Sequence, residues 1–385
     1  MVYSTIANYS IYYLNILMNS VIILILFFVG YLIRPIVINS SNRDVSLFVL
    51  GWGVVYSIST IINGAFPSLN QISFLIICSL LLLLDDGFLS LVFRRYVWIL
   101  SLLFLLSAVE YIVYIITGKG VVVATVTRVT QVKEGDFNHL YFNIISVHNI
   151  LYRFKGLCSE PGVMGTICAF MLFATWRIKS LRFPFFVFLV CGMMSLSLAY
   201  YIFLFIFLFT SIKPNVKNVL IGMVFFAVFI LVFKDYFEGR VINRLTEVDD
   251  VAELDNRTSD TFEHYFSKAY SEGDLWFGVG PNNVPDQIHN DGGNSGAKVW
   301  IFLYGIIGFA VIFYIYNIIY YRRSGKRLVY YDIVFLLVYW ACFYKSLILV
   351  SPSLFIVYSV MPFLNKLVIS RQKDKNNKSV HNYEL

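Results

Sequence analysis

The chain has 385 residues, a formal net charge of +7, 58% hydrophobic and 14% charged residues, and a mean hydropathy of +0.72. Soluble domains carry about 25% charged residues, and a water-soluble fold cannot hide this much apolar surface, so the excess must face lipid. The basic residues gather in short clusters between apolar runs, as at 177–182 and 322–327, which is a topology signal and excludes a basic, aromatic-studded nucleic-acid face.

Apolar runs able to cross about 30 Å of hydrocarbon as helices occupy residues 14–33, 45–62, 69–84 and 96–117. A polar stretch follows at 118–160. Spans resume at 161–176, 183–212 and 219–233, and a second polar stretch runs over 234–296. The last spans are 297–320, 328–349 and 353–369, followed by a basic tail, 371–385. The first apolar run lacks a basic segment before it and is long enough to span, so no cleavable signal is expected.

Residues 183–212 read either as one long helix or as two short ones with a turn near Met194–Ser195. Charge decides between them. With two helices, Arg34/Arg43, Arg94/Arg95, 177–182, Lys213/Lys217, 322–327 and 371–375 all fall on one side. The positive-inside rule then gives an all-α, polytopic transmembrane bundle of about 11 spans. Its N-terminus lies outside and its C-terminus inside. Both polar stretches lie on the outer face, as two large extracytoplasmic loops of one integral membrane domain, 1–385. The second holds over half of the acidic residues.

Within that second stretch, Phe262, Tyr265, Phe266, Ala269 and Tyr270 recur at helical spacing. This predicts an amphipathic helix lying on the membrane surface or capping a cavity. A Gly- and Pro-rich segment, 273–285, leads from it to His289.

Four arginines stand in the polar stretches near apolar boundaries: Arg153, Arg240, Arg244 and Arg257. A guanidinium fork binds phosphate bidentately and keeps its charge at any reachable pH. Each could equally be solvated or paired with nearby carboxylates. The segment 153–162 joins Arg153, Lys155, Gly156, Glu160 and Pro161 at the mouth of a span. Pro161 suits a first helical turn. Glu160 suits the positive helix end or a catalytic role. His289, beside Asn290, is a candidate general base, although His139, His148 and His264 show that loop histidines are common here. Glu110 and Lys345 lie inside predicted spans, in their outer halves, where charge is costly. They could pair with each other or line an outward cavity, and Lys345 could instead snorkel. There is no CxxC pair, His/Cys cluster, P-loop or HExxH, which argues against a disulfide framework, a metal site and an ATP-driven pump.

One order of features carries a resemblance: Arg153-x-x-Gly156 with Glu160–Pro161 before a span, Arg257 ahead of Trp276–Phe277–Gly278–Val279–Gly280, His289–Asn290, and Tyr304–Gly305–Ile306–Ile307–Gly308. From about Arg153 onward the chain resembles the O-antigen polymerase and O-antigen ligase superfamily. The resemblance implies a bacterial inner-membrane glycosyltransferase, similar in architecture to lipid-dependent GT-C-type enzymes. It would need neither metal nor cofactor. Its substrate would be an undecaprenyl-diphosphate-linked oligosaccharide, and a flippase and a chain-length regulator of lipopolysaccharide synthesis would be its partners. Arg153 and Arg257 would hold the donor diphosphate, helped by Arg240 or Arg244, and His289 would activate the acceptor hydroxyl. Charge fixed beside a diphosphate leaving group stabilises the charge that builds as the glycosidic bond breaks. A capsular or exopolysaccharide polymerase fits equally, a ligase shares the layout, and a flippase is the alternative from another class.

Overall fold

The structure, a computed structural model, describes residues 43–64, 66–67, 69–118, 124–129, 134–140, 142–146, 154–156, 158, 161–211, 260–284, 296–345 and 352–381. The expected spans at 14–33 and 219–233 lie outside the described residues. In chain order the elements are α1 (Arg43–Asn63), α2 (Leu69–Leu83), α3 (Asp86–Thr117), strands β1 (Ala124–Val129), β2 (Glu134–His139) and β3 (Ile144–Ser146), then α4 (Pro161–Thr175), α5 (Arg182–Met194), α6 (Leu198–Ser211), α7 (Asp260–Glu272), α8 (Gly296–Arg323), α9 (Tyr330–Lys345) and α10 (Pro352–His381).

The protein is a helical membrane protein. Among the described residues α1, α3 and α8 are long and apolar enough to cross a membrane, and five shorter apolar segments accompany them. The exposed face of α3 carries Leu102, Leu105, Leu106, Val109, Ile112 and Val113, while Leu100, Phe104, Ala108 and Tyr111 are buried. Such a face is stable only against lipid or another apolar surface. The short helix α4 has a different reason to be apolar. In α4 every residue from Met164 to Thr175 is buried, so it is hydrophobic all round because protein surrounds it.

Boundaries differ from the sequence reading in three places. Helix α3 starts at Asp86, ten residues before the expected span, because the Asp85 carboxylate caps it by accepting from the Gly87 and Phe88 N–H groups at 2.9 and 3.4 Å. With 32 residues it is about 48 Å long, well beyond the hydrocarbon thickness, so Arg94 and Arg95 sit within the helix rather than ahead of it. Helix α10 continues into the expected tail as far as His381. The first polar stretch, expected as a loop, folds in part into an antiparallel meander of order β1-β2-β3, with Thr125 opposite Asn138 and Asn138 opposite Ile145.

Residues 183–212 form two helices, α5 and α6, joined by a turn at Ser195–Ser197 in which Leu196 takes φ 48°. The pair is a hairpin. The Tyr200 hydroxyl donates to the Leu189 carbonyl at 2.9 Å, Tyr201 donates to that of Met193 at 2.8 Å, and the Phe185 and Phe207 rings lie 5.8 Å apart. One continuous helix would hold those two rings about 33 Å apart. Gly192 makes the hairpin possible, since a methyl group there would enter the Tyr200 ring.

One end of the bundle, here the basal end, is tied by charge. Arg322 pairs with Asp44 at 3.0 Å, at the start of α1. Its neighbour Arg323 pairs with Asp86 at 2.5 Å, at the start of α3, and also donates to the Leu82 carbonyl at 3.3 Å. The Lys366 ammonium donates to the Arg323 carbonyl at 2.8 Å. Asp332 is buried and accepts from the Tyr320 hydroxyl, the Asn365 amide and the Val329 N–H at 3.0, 2.7 and 3.1 Å. These contacts join α1, α2, α3, α8, α9 and α10 at one level. Since α1 and α3 both begin there, both must end at the opposite, apical end.

The Arg323 side chain is 7% exposed and that of Asp86 38%, so removing the carboxylate strands a buried cation. Asp86→Ala should destabilise the detergent-solubilised protein by about 2 kcal/mol, less than for a fully buried pair. Adding Arg323→Met should recover part of that loss in a thermal-unfolding assay. Equal stability of wild type and Asp86→Ala would mean that the pair contributes nothing.

Candidate functional site at the apical end

The apical end is organised by a break in α8. Gly305 adopts φ 76°, ψ 168°, which interrupts the helix between its outer turns and its long basal part. The segment Trp276–Gly280 packs into this break. The Val279 N–H donates to the Phe302 carbonyl at 2.8 Å and the Gly280 N–H to that of Leu303 at 3.1 Å. Carbonyls beside a helix break lack their usual intrahelical donors and must find others. The approach is backbone on backbone. A methyl group on Gly278 would sit 2.5 Å from the Gly305 nitrogen and the Leu303 oxygen, and one on Gly305 would sit 2.4 Å from the Trp276 oxygen.

Helix α7 covers this joint. Phe262 and Ala269 are buried, with the Phe262 ring edge-on to Phe302 at 5.4 Å, and Lys298 pairs with Glu263 at 2.7 Å. The expected amphipathic helix is therefore present and caps the outer turns of α8. Tyr270 is not on the packed face, being 75% exposed. Asn63, at the end of α1, fastens the loop: its amide donates to the Gly278 carbonyl at 2.8 Å, and its carbonyl accepts from the Asn283 amide at 3.1 Å. Beneath the joint, Gln71 donates to the Tyr304 hydroxyl, while the Tyr56 and Ser59 hydroxyls are buried without a hydrogen-bond partner. The Tyr56 and Tyr304 rings are 6.2 Å apart.

The first polar stretch is fastened to the same end. Glu110, in the last turns of α3, accepts from the Phe142 N–H at 2.9 Å and from the Asn143 amide at 2.8 Å. Asn143 also donates to the Ser107 carbonyl at 2.7 Å, and the Ser107 hydroxyl donates to the Phe142 carbonyl at 2.8 Å. Charge-assisted bonds of this kind explain why a carboxylate is tolerated so late in an apolar helix. Phe154 is fully buried with its ring 5.1 Å from Tyr111, and Gly156 lies against Ser107. Cys158 is enclosed, and burial pushes its thiol up to about 12, which removes it as a nucleophile at neutral pH.

Of the candidate site residues, Glu110 is the one whose side chain is described, and it serves as the anchor of the first polar stretch. Lys345 ends α9, and its side chain lies outside the described residues. Arg153, Glu160, Arg240, Arg244, Arg257, His289 and Asn290 also lie outside them. Pro161 opens α4 as expected. Sequence reasoning missed Asn63 and Asn143, the two amides that bind the polar stretches to the helices. Each is a lone carboxamide beside an apolar segment, and that was the available signal. It did notice Trp276–Gly280 and Tyr304–Gly308, but not that they touch. Among the described residues no cluster of His, Cys, Asp or Glu has the makings of a metal site.

Compared with protein-family models, with curated proteins and with solved structures, the chain matches none.

Gly273 and Gly278 both have positive φ, 83° and 79°, but only Gly278 is crowded. Gly273→Ala should cost about 1 kcal/mol from backbone strain alone, and Gly278→Ala at least about twice that. Thermal unfolding of the two variants measures the difference. Equal costs would show that the loop does not seat in the helix break.

Proposed function

We propose that the protein is an O-antigen polymerase, or a capsular or exopolysaccharide polymerase. It would join undecaprenyl-diphosphate-linked repeat units at the outer face of a bacterial inner membrane. The observation that carries the reading is the contact between Trp276–Gly280 and Tyr304–Gly308. Both segments belong to the pattern by which the chain resembles that superfamily, and they are adjacent in space as well as ordered in sequence. A second support is that the two polar stretches are fastened at one end of the bundle, by Glu110 and by Asn63. An enzyme acting on a lipid-anchored diphosphate needs its cationic groups gathered at one membrane face.

In this reading the chain has about 11 spans, with the apical end outward and the basal arginines inward, as the positive-inside rule requires. Arg153 and Arg257, with Arg240 or Arg244, hold the donor diphosphate, and His289 takes the proton from the acceptor hydroxyl. Buried hydroxyls under the joint, those of Tyr56 and Ser59, give the floor of the apical end a polar character. A ligase would use the same parts with lipid A core as acceptor. A flippase would carry charged groups through the whole depth of the bundle, whereas among the described residues the ion pairs and the Glu110 anchor lie towards its two ends.

Deleting the gene and running surface glycan on a gel tests the reading. A single repeat unit on the lipid core is the expected result. Complete loss of attached glycan would replace polymerase by ligase or flippase. Arg153→Ala and Arg257→Ala should each abolish long chains while the protein still inserts, and lysine should restore them only in part. Unchanged chain length in both alanine variants would reject the site. Reporter fusions at Lys217 and Arg323 should both report cytoplasm, and a split result would overturn the orientation.

A further inference from the structure

A second polar feature lies at the basal end, far from the apical joint. Arg177 follows α4 in the turn that leads to α5. Its guanidinium lies over the Tyr331 ring at 3.4 Å from the centroid, with Trp176 at 5.6 Å. Both terminal nitrogens are buried and have no hydrogen-bond partner. Burial lowers its pKa from the ordinary arginine value, with Tyr331 and Asp332 opposing, yet a guanidinium stays charged in any protein setting.

Asp332, the carboxylate whose charge Arg177 feels, accepts instead from Tyr320, Asn365 and Val329. Lys179 and Arg182 stand exposed on the following turn. The local balance is therefore cationic, with four donor hydrogens on Arg177 unspent.

Arg177 lines a cleft between α4, α6, α9 and α10. The lining has two levels. Trp176, Arg177, Thr210, Tyr331 and Asn365 form the rim, and Phe173, Val334, Phe335 and Met361 lie about one helical turn deeper. Aromatic rings around a cation at a helix end mark the headgroup level of a bilayer, and the level beneath is purely apolar. An unpaired guanidinium flanked by aromatic rings at the headgroup level suits one ligand class, a lipid with an anionic head.

We propose that this cleft marks the seat of an anionic phospholipid head, with Arg177 gripping the phosphate between Trp176 and Tyr331. The guanidinium fork fits phosphate oxygens bidentately, and basic pockets between membrane helices suit such heads. The site is independent of the glycan chemistry proposed above.

Native mass spectrometry of the detergent-released full chain tests this, with phosphatidylglycerol or phosphatidylcholine added at equal concentration. Phosphatidylglycerol should be retained and phosphatidylcholine lost. Arg177→Gln should cut phosphatidylglycerol retention roughly fivefold or more, Arg177→Lys should restore part of it, and Arg182→Gln should leave it unchanged. Should Arg177→Gln fail to fold, Val334→Phe decides, since it fills the cleft without removing the cation and should also lower retention. Equal retention of the two lipids, or retention insensitive to both Arg177→Gln and Val334→Phe, overturns the proposal. So does stabilisation by inorganic phosphate alone that equals that of the lipid, which would make this a free-anion site.

Discussion

Two adjacent arginines at the end of one helix set the polarity of the whole bundle. Arg322 holds the start of α1 through Asp44, and Arg323 holds the start of α3 through Asp86. Helices pinned together at their first residues must run parallel, and their last residues must meet at the other end. The consequence reaches far beyond the ion pairs themselves. The end of α1 supplies Asn63 to the second polar stretch, and the end of α3 supplies Glu110 to the first. Both polar stretches are fastened at the same face for this reason.

The apical end spends its polar groups on backbone. Asn63, Asn143 and Glu110 each bind main-chain N–H or carbonyl groups, and the break at Gly305 exchanges helix bonds for bonds to Val279 and Gly280. Irregular chain at a membrane boundary demands this, because a buried amide without a partner costs more than the helix gains by ignoring it. Rigid fastening also suits a binding surface, since groups on a loop are only as well placed as the loop itself. The basal end works differently. Two of its arginines, Arg322 and Arg323, pair with carboxylates, whereas both terminal nitrogens of Arg177 are buried with their donors unspent.

The helical class, the polar interruptions, the amphipathic α7 and the α5–α6 hairpin were legible in the sequence. Each depends on a local signal: hydropathy over a window, a 3.6-residue period, or the count of basic residues on one side. What was not legible depends on partners distant in the chain. Asp85 caps α3 with its own side chain, and this moved the helix start ahead of an arginine pair that read as its boundary. Gly278 and Gly305 each look like a turn or a small-residue contact. Only folding shows that each excludes a side chain on the other's account. Glu110 was recognised as costly without its recipients, since nothing in the sequence ties it to Asn143. The short strands at 124–146 were missed although β1 (ATVTRV) is rich in β-branched residues, because its partner β2 (EGDFNH) is polar and β3 is only three residues long.

Labelling from one side of the membrane tests the shared face most directly. The five native cysteines are buried, so introduced ones can be read against a low background. Thr117→Cys, at the end of α3, and Ser271→Cys, on α7, should react with a membrane-impermeant maleimide in intact cells, and Arg327→Cys should react only after permeabilisation. Labelling of Thr117→Cys and Ser271→Cys from opposite sides would contradict a common apical face, and with it any site built from both polar stretches.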